Sequence, residues 1–154
     1  MILQQATTAD APAISALIAS VSHHCTIDPS GKGAERFFAT VAPTAIAGYI
    51  ADPRYCYLVA IDGDALAGVA ALRDGRHVYH LFIAPAFQRR GLSRMLWLAM
   101  RDRAEPGTPS FTVNSSLYAV SVYERFGFVA TGPKVEMDGV AFVPMQLAAN
   151  APAD

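Results

Sequence analysis

The residues best suited to chemistry lie together in Leu81-Phe82-Ile83-Ala84-Pro85-Ala86-Phe87-Gln88-Arg89-Arg90-Gly91-Leu92-Ser93-Arg94, an apolar run that passes through a short basic turn. A strand that turns through a glycine into a helix aims several backbone N–H groups and the positive end of the helix dipole at one point. Arg89, Arg90 and Arg94 flank that point, so the turn is suited to a diphosphate. Gly91 lets the backbone approach an anion, and Ser93 is small while adding a hydroxyl donor. No Gly-rich Lys-Ser/Thr loop or dinucleotide fingerprint occurs, which argues against other nucleotide-binding folds.

A second group of candidates titrates. His77 and His80 lie in His77-Val78-Tyr79-His80, and a histidine near pKa 6.5 can take a proton from an amine directly or through water. Strict strand alternation puts His77, Tyr79 and Leu81 on one face and Val78, His80 and Phe82 on the other. On that pattern His80 reads as a structural histidine packed against a helix. His23-His24-Cys25 ends a helix, where adjacent histidines do not converge on one ion, so no metal is expected. Cys25 has no identifiable base beside it and Cys56 lies in an apolar strand, so both read as free thiols rather than nucleophiles.

The elements that must position these residues follow from periodicity and turn chemistry. A strand at 2–5 precedes a helix that starts near Thr8 to Asp10 and carries Ile14, Leu17, Ile18 and Val21 on one stripe. A second helical region, 34–50, is broken at Pro43. Asp62-Gly63, Asp74-Gly75 and Asp138-Gly139 are hairpin signals between β-rich runs. They predict strands at 55–61, 65–72 and 77–83, and a late hairpin of 128–135 with 140–147. Between these lie a helix from Gly91 to about Arg103, a strand at 110–114, and a helix at 117–125 stopped by Gly127. The order predicts a mixed α/β sheet with helices on both faces and antiparallel hairpins at each end.

The chain has 154 residues, 53% of them apolar and 16% charged, which suits one domain with a buried core. The domain is expected over 1–148, with 149–154 a frayed tail. The formal net charge is −1 and the arginines concentrate at one turn, which argues against nucleic acid as a partner. Neither a leader segment nor an apolar run of bilayer length is visible, so no membrane association is expected and the cytoplasm is the expected compartment.

Over nearly its whole length the chain resembles the GCN5-related N-acetyltransferases. The family signature is Gln or Arg, two variable residues, Gly, one variable residue, then Gly or Ala. Gln88-Arg89-Arg90-Gly91-Leu92-Ser93 matches all but the last position. A second motif, usually Asn, then Ala, a Tyr and Gly-Phe after the helix, corresponds to Asn114-Ser115-Ser116-Leu117-Tyr118-Ala119-Val120-Ser121-Val122-Tyr123-Glu124-Arg125-Phe126-Gly127-Phe128. The resemblance implies a mainly antiparallel sheet of about seven strands with about four helices on its two faces. It implies that the loop amides of Gln88 to Ser93, with Leu92 and the three arginines, hold the pyrophosphate of acetyl-coenzyme A.

Further roles are implied in the same way. The backbone of Leu81, Phe82 and Ile83 would pair with the pantetheine arm, and the Leu81 N–H would polarise the thioester carbonyl, where an oxyanion develops. Either Asn114 or Ser116 would contact the cofactor, since Asn114 lies two residues further from the tyrosine than is usual and Ser116 stands in the customary asparagine place. Tyr123 is cast as the general acid toward the departing sulfur. A tyrosine near pKa 10 facing a thiol near 8.5 makes full proton transfer uphill by roughly 2 kcal/mol, so hydrogen-bond stabilisation describes the role better. Tyr118 reads as a packing aromatic. His77, four residues before Leu81, takes the family position of the base.

The resulting expectation is an N-acetyltransferase with Tyr123 and His77 as catalytic residues, acetyl-coenzyme A as co-substrate, and direct transfer to an amine of a small molecule or peptide. The alternative is a noncatalytic acyl-coenzyme A sensor or docking module of the same fold. The acceptor pocket is expected between the first two helices and the late hairpin, around His23, Cys25, Phe37, Phe38 and 134–140. Its lining is mainly apolar, which leans away from a polycation. The acceptor's identity stays open, as does the oligomeric state, a homodimer included.

Overall fold

A computed structural model of the protein describes residues 1–148. The segment 149–154, expected to fray, lies outside the described residues. The elements are β1 (Ile2–Gln5), α1 (Ala11–Val21), α2 (Glu35–Thr40), α3 (Pro43–Ala51), β2 (Tyr55–Asp62), β3 (Ala65–Arg73) and β4 (His77–Ile83). They continue with α4 (Leu92–Arg101), β5 (Ser110–Ser115), α5 (Val120–Arg125), β6 (Val129–Ala130), β7 (Val135–Met137) and β8 (Val140–Ala148). No helix among the described residues is long and apolar enough to cross a membrane.

Local chemistry explains most boundaries. Asp10 accepts the Thr7 N–H at 2.8 Å just before α1, and Ile14, Leu17, Ile18 and Val21 are buried along its stripe. Pro43 separates α2 from α3, because Ala42 before it is held extended and Pro43 itself suits the first turn of α3. At Asp74-Gly75 and Asp138-Gly139 both residues have positive φ, the conformation that matches the twist of two-residue hairpins. The first Asp-Gly pair is shifted by one: Asp62 pairs with Ala65, and the loop is Gly63-Asp64.

The sheet has eight strands in the order β1-β2-β3-β4-β5-β8-β6, with β7 paired to β8. All pairings are antiparallel except β4 with β5. One core cluster joins Leu58, Ala70 and Leu72 to Leu96, Trp97 and Met100 of α4 and to Tyr123, Phe126 and Phe128. The other joins Tyr57, Val59 and Val69 to Ile14 and Ile18 of α1 and Ile46 of α3. Helices therefore cover both faces, and β2 and β3 alternate between the two clusters.

Three details depart from the sequence reading. The strand expected over 128–135 is two short strands, because Pro133 has no N–H to offer β8; the sheet gains a strand accordingly. The helix expected at 117–125 begins as a 3-10 turn, Leu117–Ala119, and is α-helical only from Val120. The third concerns β4, where alternation fails. Ala71 pairs with His80 while Leu72 pairs with Val78, so Tyr79 is an extra residue, a β-bulge. Val78, Leu81 and Ile83 pack into the α4 cluster, whereas Tyr79 and Phe82 pack into the α1 cluster. His80, bonded to Tyr57, joins Tyr79 on that second side.

Gly68 on β3 sits beneath this bend. A Cβ there would lie 3.0 Å from both Ile83 Cδ1 and Leu96 Cδ1 and 3.3 Å from the Phe82 carbonyl. Gly68→Val should therefore destabilise the protein by about 1–3 kcal/mol through overpacking, read as a lower urea midpoint. An unchanged midpoint would mean that Ile83 and Leu96 part freely.

Candidate active site

The cleft begins where two strands separate. β4 and β5 pair only through His77 with Thr112 and Val78 with Val113, and beyond the bulge at Tyr79 they are no longer paired. The Ala84 N–H donates to the Ala67 carbonyl at 2.8 Å. With Phe82 opposite Val69 and His80 opposite Ala71, this sets the hydrogen-bonding phase of the antiparallel pair. Phe82 and His80 direct their backbone groups to β3, so those of Leu81 and Ile83 turn to the gap. The Gln88 side chain donates to the Ile83 carbonyl at 3.1 Å, tying the basic turn to this edge.

The turn itself is built from left-handed residues. Arg89 has φ 64° and Gly91 φ 78°, and Gly91 caps α4 with no side-chain partner for the first helical N–H groups. These are the donors that a helix leaves open to an anion. A cavity of about 800 Å³ runs along the gap, lined by Leu81, Phe82 and Ile83 on one wall and by Gln88, Arg89, Gly91, Leu92, Ser93 and Arg94 at one end. Arg90 does not line it; its guanidinium lies 5.5 Å from the Phe87 ring centroid.

The opposite wall comes from α5 and the turn before it. Tyr123 is buried, edge-on to Phe126 and Phe128 with ring centroids 5.9 and 5.4 Å away, and it lines the cleft. Burial, reinforced by the nearby Cys25 thiol, pushes its phenol above the ordinary range. Cys25 lines the same cavity, and burial raises its thiol to about 11. Ser116 lines it too, its hydroxyl accepting the Ala119 N–H at 3.2 Å. Tyr118, read as a packing aromatic, is 56% exposed and stacks on His24 at 3.7 Å across the cleft rim. A six-residue helix preceded by a 3-10 turn leaves Tyr118 outside the buried stripe.

A second cavity, about 210 Å³, lies on the α1 side. Phe37 and Thr40 of α2, Tyr79 and His80 of the bulge, Asn114 of β5 and Phe142 of β8 line it. Cys25, Phe82 and Ser116 line both cavities, so the two meet there. His80 is buried, its Nδ1 2.9 Å from the Tyr57 hydroxyl, and burial lowers it to about 3. Tyr79 is held up as a neutral phenol, first by burial and then by its bond with Tyr49.

The structure thus gathers Leu81, Phe82, Ile83, Gln88, Arg89, Gly91, Leu92, Ser93, Arg94, Ser116 and Tyr123 around one cleft. It does not bring Asn114, Arg90 or His77 there. Asn114 faces the second cavity. His77 sits at the closed end of the strand gap, its Nδ1 2.8 Å from Thr112 Oγ1, lining neither cavity. Burial first, and Arg73 second, lower it to about 4. Thr40, Tyr79 and Phe142 were not singled out in the sequence. Only the bulge, which has no sequence signature, turns Tyr79 and His80 to one side. Among the described residues no group of three or more His, Cys, Asp or Glu could hold a metal ion.

Comparison with known proteins adds the following. Residues 25–149 match the family model of the acetyltransferase (GNAT) domain. The structure is similar to a GCN5-related N-acetyltransferase from Rhodopseudomonas palustris, with TM-score 0.76, 21% identity, and 96% of this chain and 94% of that one covered. It is similar to the PaiA N-acetyltransferase of Thermoplasma acidophilum in complex with coenzyme A, with TM-score 0.70, 15% identity and coverage of 96% and 99%. It is also similar to the ribosomal-protein-S18-alanine N-acetyltransferase of Escherichia coli, with TM-score 0.71, 18% identity and coverage of 98% and 95%. No match was found among curated protein sequences.

Two outcomes follow from this geometry. A Cβ on Gly91 would meet no protein atom within 4 Å, yet φ 78° strains any L residue. Gly91→Val should therefore lose roughly 1–2 kcal/mol of stability and at least tenfold in coenzyme A affinity by calorimetry. A folded variant that binds like wild type would remove the turn from the site. Separately, His77 and His80 both have folded pKa values depressed below the unfolded 6.5. The folded state then binds fewer protons, so stability is full above about pH 6.5 and falls as pH drops toward 4 and then 3. The slope should reach about 1.4 kcal/mol per pH unit for the fully buried His80, and less for His77. His80→Gln should flatten the pH dependence of the urea midpoint; an equally steep curve would contradict the assignment.

Proposed function

The chain belongs to the acetyltransferase (GNAT) domain family, and from that membership we propose that it is an acetyl-coenzyme A dependent N-acetyltransferase acting by direct transfer to a primary amine. The observation that carries the reading is the meeting of two cavities at Cys25, Phe82 and Ser116, beside an unpaired strand edge and the Tyr123 ring. A donor and an acceptor can enter from opposite sides and meet at one point, as direct transfer requires.

The residues fit the donor. The α4 N-terminus lacks a capping side chain, Arg89 and Arg94 line the cleft beside it, and the cavity volume is of ligand size. Acetyl-coenzyme A supplies the activated acetyl thioester. The open N–H groups at the start of α4, with Arg89 and Arg94, hold its pyrophosphate. The cleft-facing backbone of Leu81 and Ile83 would pair with the cofactor's arm, and the Leu81 N–H would be the donor offered to a carbonyl oxygen that gains charge. Tyr123 keeps its proton, since burial raises its pKa, and donates a hydrogen bond to the departing sulfur.

Direct transfer is favoured over an acyl-enzyme. Cys25 lies at the junction, but a thiol near 11 holds only about one part in 10⁴ as thiolate at pH 7. Deprotonation of the amine is assigned to solvent rather than His77. The His77 imidazole is bonded to Thr112, away from both cavities, and its lowered pKa makes it a poor acceptor for an amine proton.

The test is thiol release from acetyl-coenzyme A with a set of amines. Tyr123→Phe keeps the ring packing against Phe126 and Phe128 and should lower kcat by roughly ten- to a thousandfold with coenzyme A affinity unchanged. In wild type, kcat/KM for the amine should rise about tenfold per pH unit toward the amine's own pKa near 10.4, because only the free base reacts. His77→Ala should leave that profile in place. A plateau near pH 6.5 that His77→Ala abolishes would return the base role to His77. Wild-type turnover in Tyr123→Phe, with chemistry rate-limiting, would remove the tyrosine from the mechanism. Coenzyme A binding with no thiol release to any amine would favour the sensor module.

A further inference from the structure

We propose that the second cavity takes a small, apolar or aromatic monoamine without a carboxylate, and that the docked β7–β8 hairpin closes the path a peptide acceptor would follow. This rests on the reading of the chain as an N-acetyltransferase and names its acceptor class.

Charge selects first. No Asp, Glu, Lys or Arg lines the cavity. Its polar groups are neutral: the Tyr79 phenol is held protonated and the His80 imidazole unprotonated. A diamine or aminosugar would bring a second ammonium with no carboxylate to meet it, and an amino acid would bring a carboxylate with no cation to meet it. Asp138 at the hairpin turn is engaged by Arg36 at 3.4 Å. Phe37, Phe82 and Phe142 offer apolar faces that suit an aliphatic or aromatic tail.

Shape selects next. The cavity is about 210 Å³ against about 800 Å³ for the cleft along the strand gap, so it suits an acceptor much smaller than the donor. A peptide needs a groove for the residues behind its amine, and between the loop after α1 and the hairpin that groove is replaced by backbone pairing. Thr26 and Val140 form a β-bridge, the Ile27 N–H donates to the Gly139 carbonyl at 2.9 Å, and the Ala141 N–H donates to the Cys25 carbonyl at 3.1 Å. Gly139 lies so close to Gly33 that a Cβ on it would overlap the Gly33 carbonyl. The loop after α1 and the hairpin are thus sewn together beside the transfer point.

The experiment compares phenethylamine and isoamylamine with putrescine, lysine, kanamycin and an alanine-initiated hexapeptide, reading thiol release and calorimetric binding to protein saturated with coenzyme A. The two monoamines should exceed every other acceptor at least tenfold in kcat/KM, and should bind where the others do not. Higher kcat/KM for a polycation, an amino acid or the peptide would overturn the acceptor class and leave the transferase intact. Thiol release with none of them, from protein that binds coenzyme A, would overturn the transferase reading and the acceptor class with it. Thr40→Asp and Phe142→Asp each place a carboxylate in the lining and should shift the ratio of putrescine to phenethylamine at least tenfold toward putrescine. If both variants fold by circular dichroism and neither moves the ratio, the cavity is not the acceptor site. If one fails to fold, the other decides.

Discussion

Strands β4 and β5 pair through two residues each and then part at the point where β4 carries one residue too many. The extra residue, Tyr79, turns the strand so that a neutral chamber opens on one side while the backbone of Leu81 and Ile83 faces a gap. An unpaired backbone N–H inside a sheet is costly to leave without a partner, roughly 1–3 kcal/mol when buried. The fold tolerates it because the gap reaches solvent and can accept an extended ligand in place of a strand. The bulge is pinned by aromatic contacts: the Tyr79 ring stands edge-on to Tyr49 and Tyr55, each at 5.2 Å, and the Arg73 guanidinium lies 5.4 Å from its centroid. The cleft, the cleft-facing backbone of Leu81 and the second cavity all depend on this one irregularity.

Much of the scaffold was legible because it rests on local signals. Asp74-Gly75 and Asp138-Gly139 demand positive φ, Pro43 breaks a helix, and Gly91 between an apolar strand and an amphipathic helix marks the anion turn. Each acts within a few residues of itself. The bulge is different, since nothing in His77-Val78-Tyr79-His80 says that two consecutive side chains will share a side. That single slip brings His80 to the second cavity, while His77, on the paired side of the bulge, stays at the closed end of the gap. Whether 117–119 forms an α or a 3-10 turn decides which side Tyr118 presents, and sequence spacing alone does not distinguish them.

Charge is segregated along the two connected cavities. At the α4 end Arg89 and Arg94 line the cleft beside open N–H donors. Around the junction burial drives four groups toward their neutral forms: His80 downward, Cys25, Tyr79 and Tyr123 upward. On the proposed reading the donor would be anchored by charge at a distance from the chemistry, with its reacting end and the acceptor among neutral groups.

The same neutrality bears on how the amine reaches the thioester. An alkylammonium near pKa 10.4 releases its proton at pH 7 at a cost of about 4–5 kcal/mol. A chamber with no carboxylate gives the ammonium nothing to offset its lost hydration, so it favours the free base over the cation on entry. On the proposed reading, proton loss would precede binding and take place in solvent, where it needs no dedicated side chain. A buried carboxylate base would ease that step but would also hold the ammonium in place, stabilising the unreactive form. In the proposed transfer, the bulge that draws His80 and Tyr79 to the second cavity as neutral groups would do two things at once: exclude extra charge from the acceptor and leave the nitrogen's lone pair available.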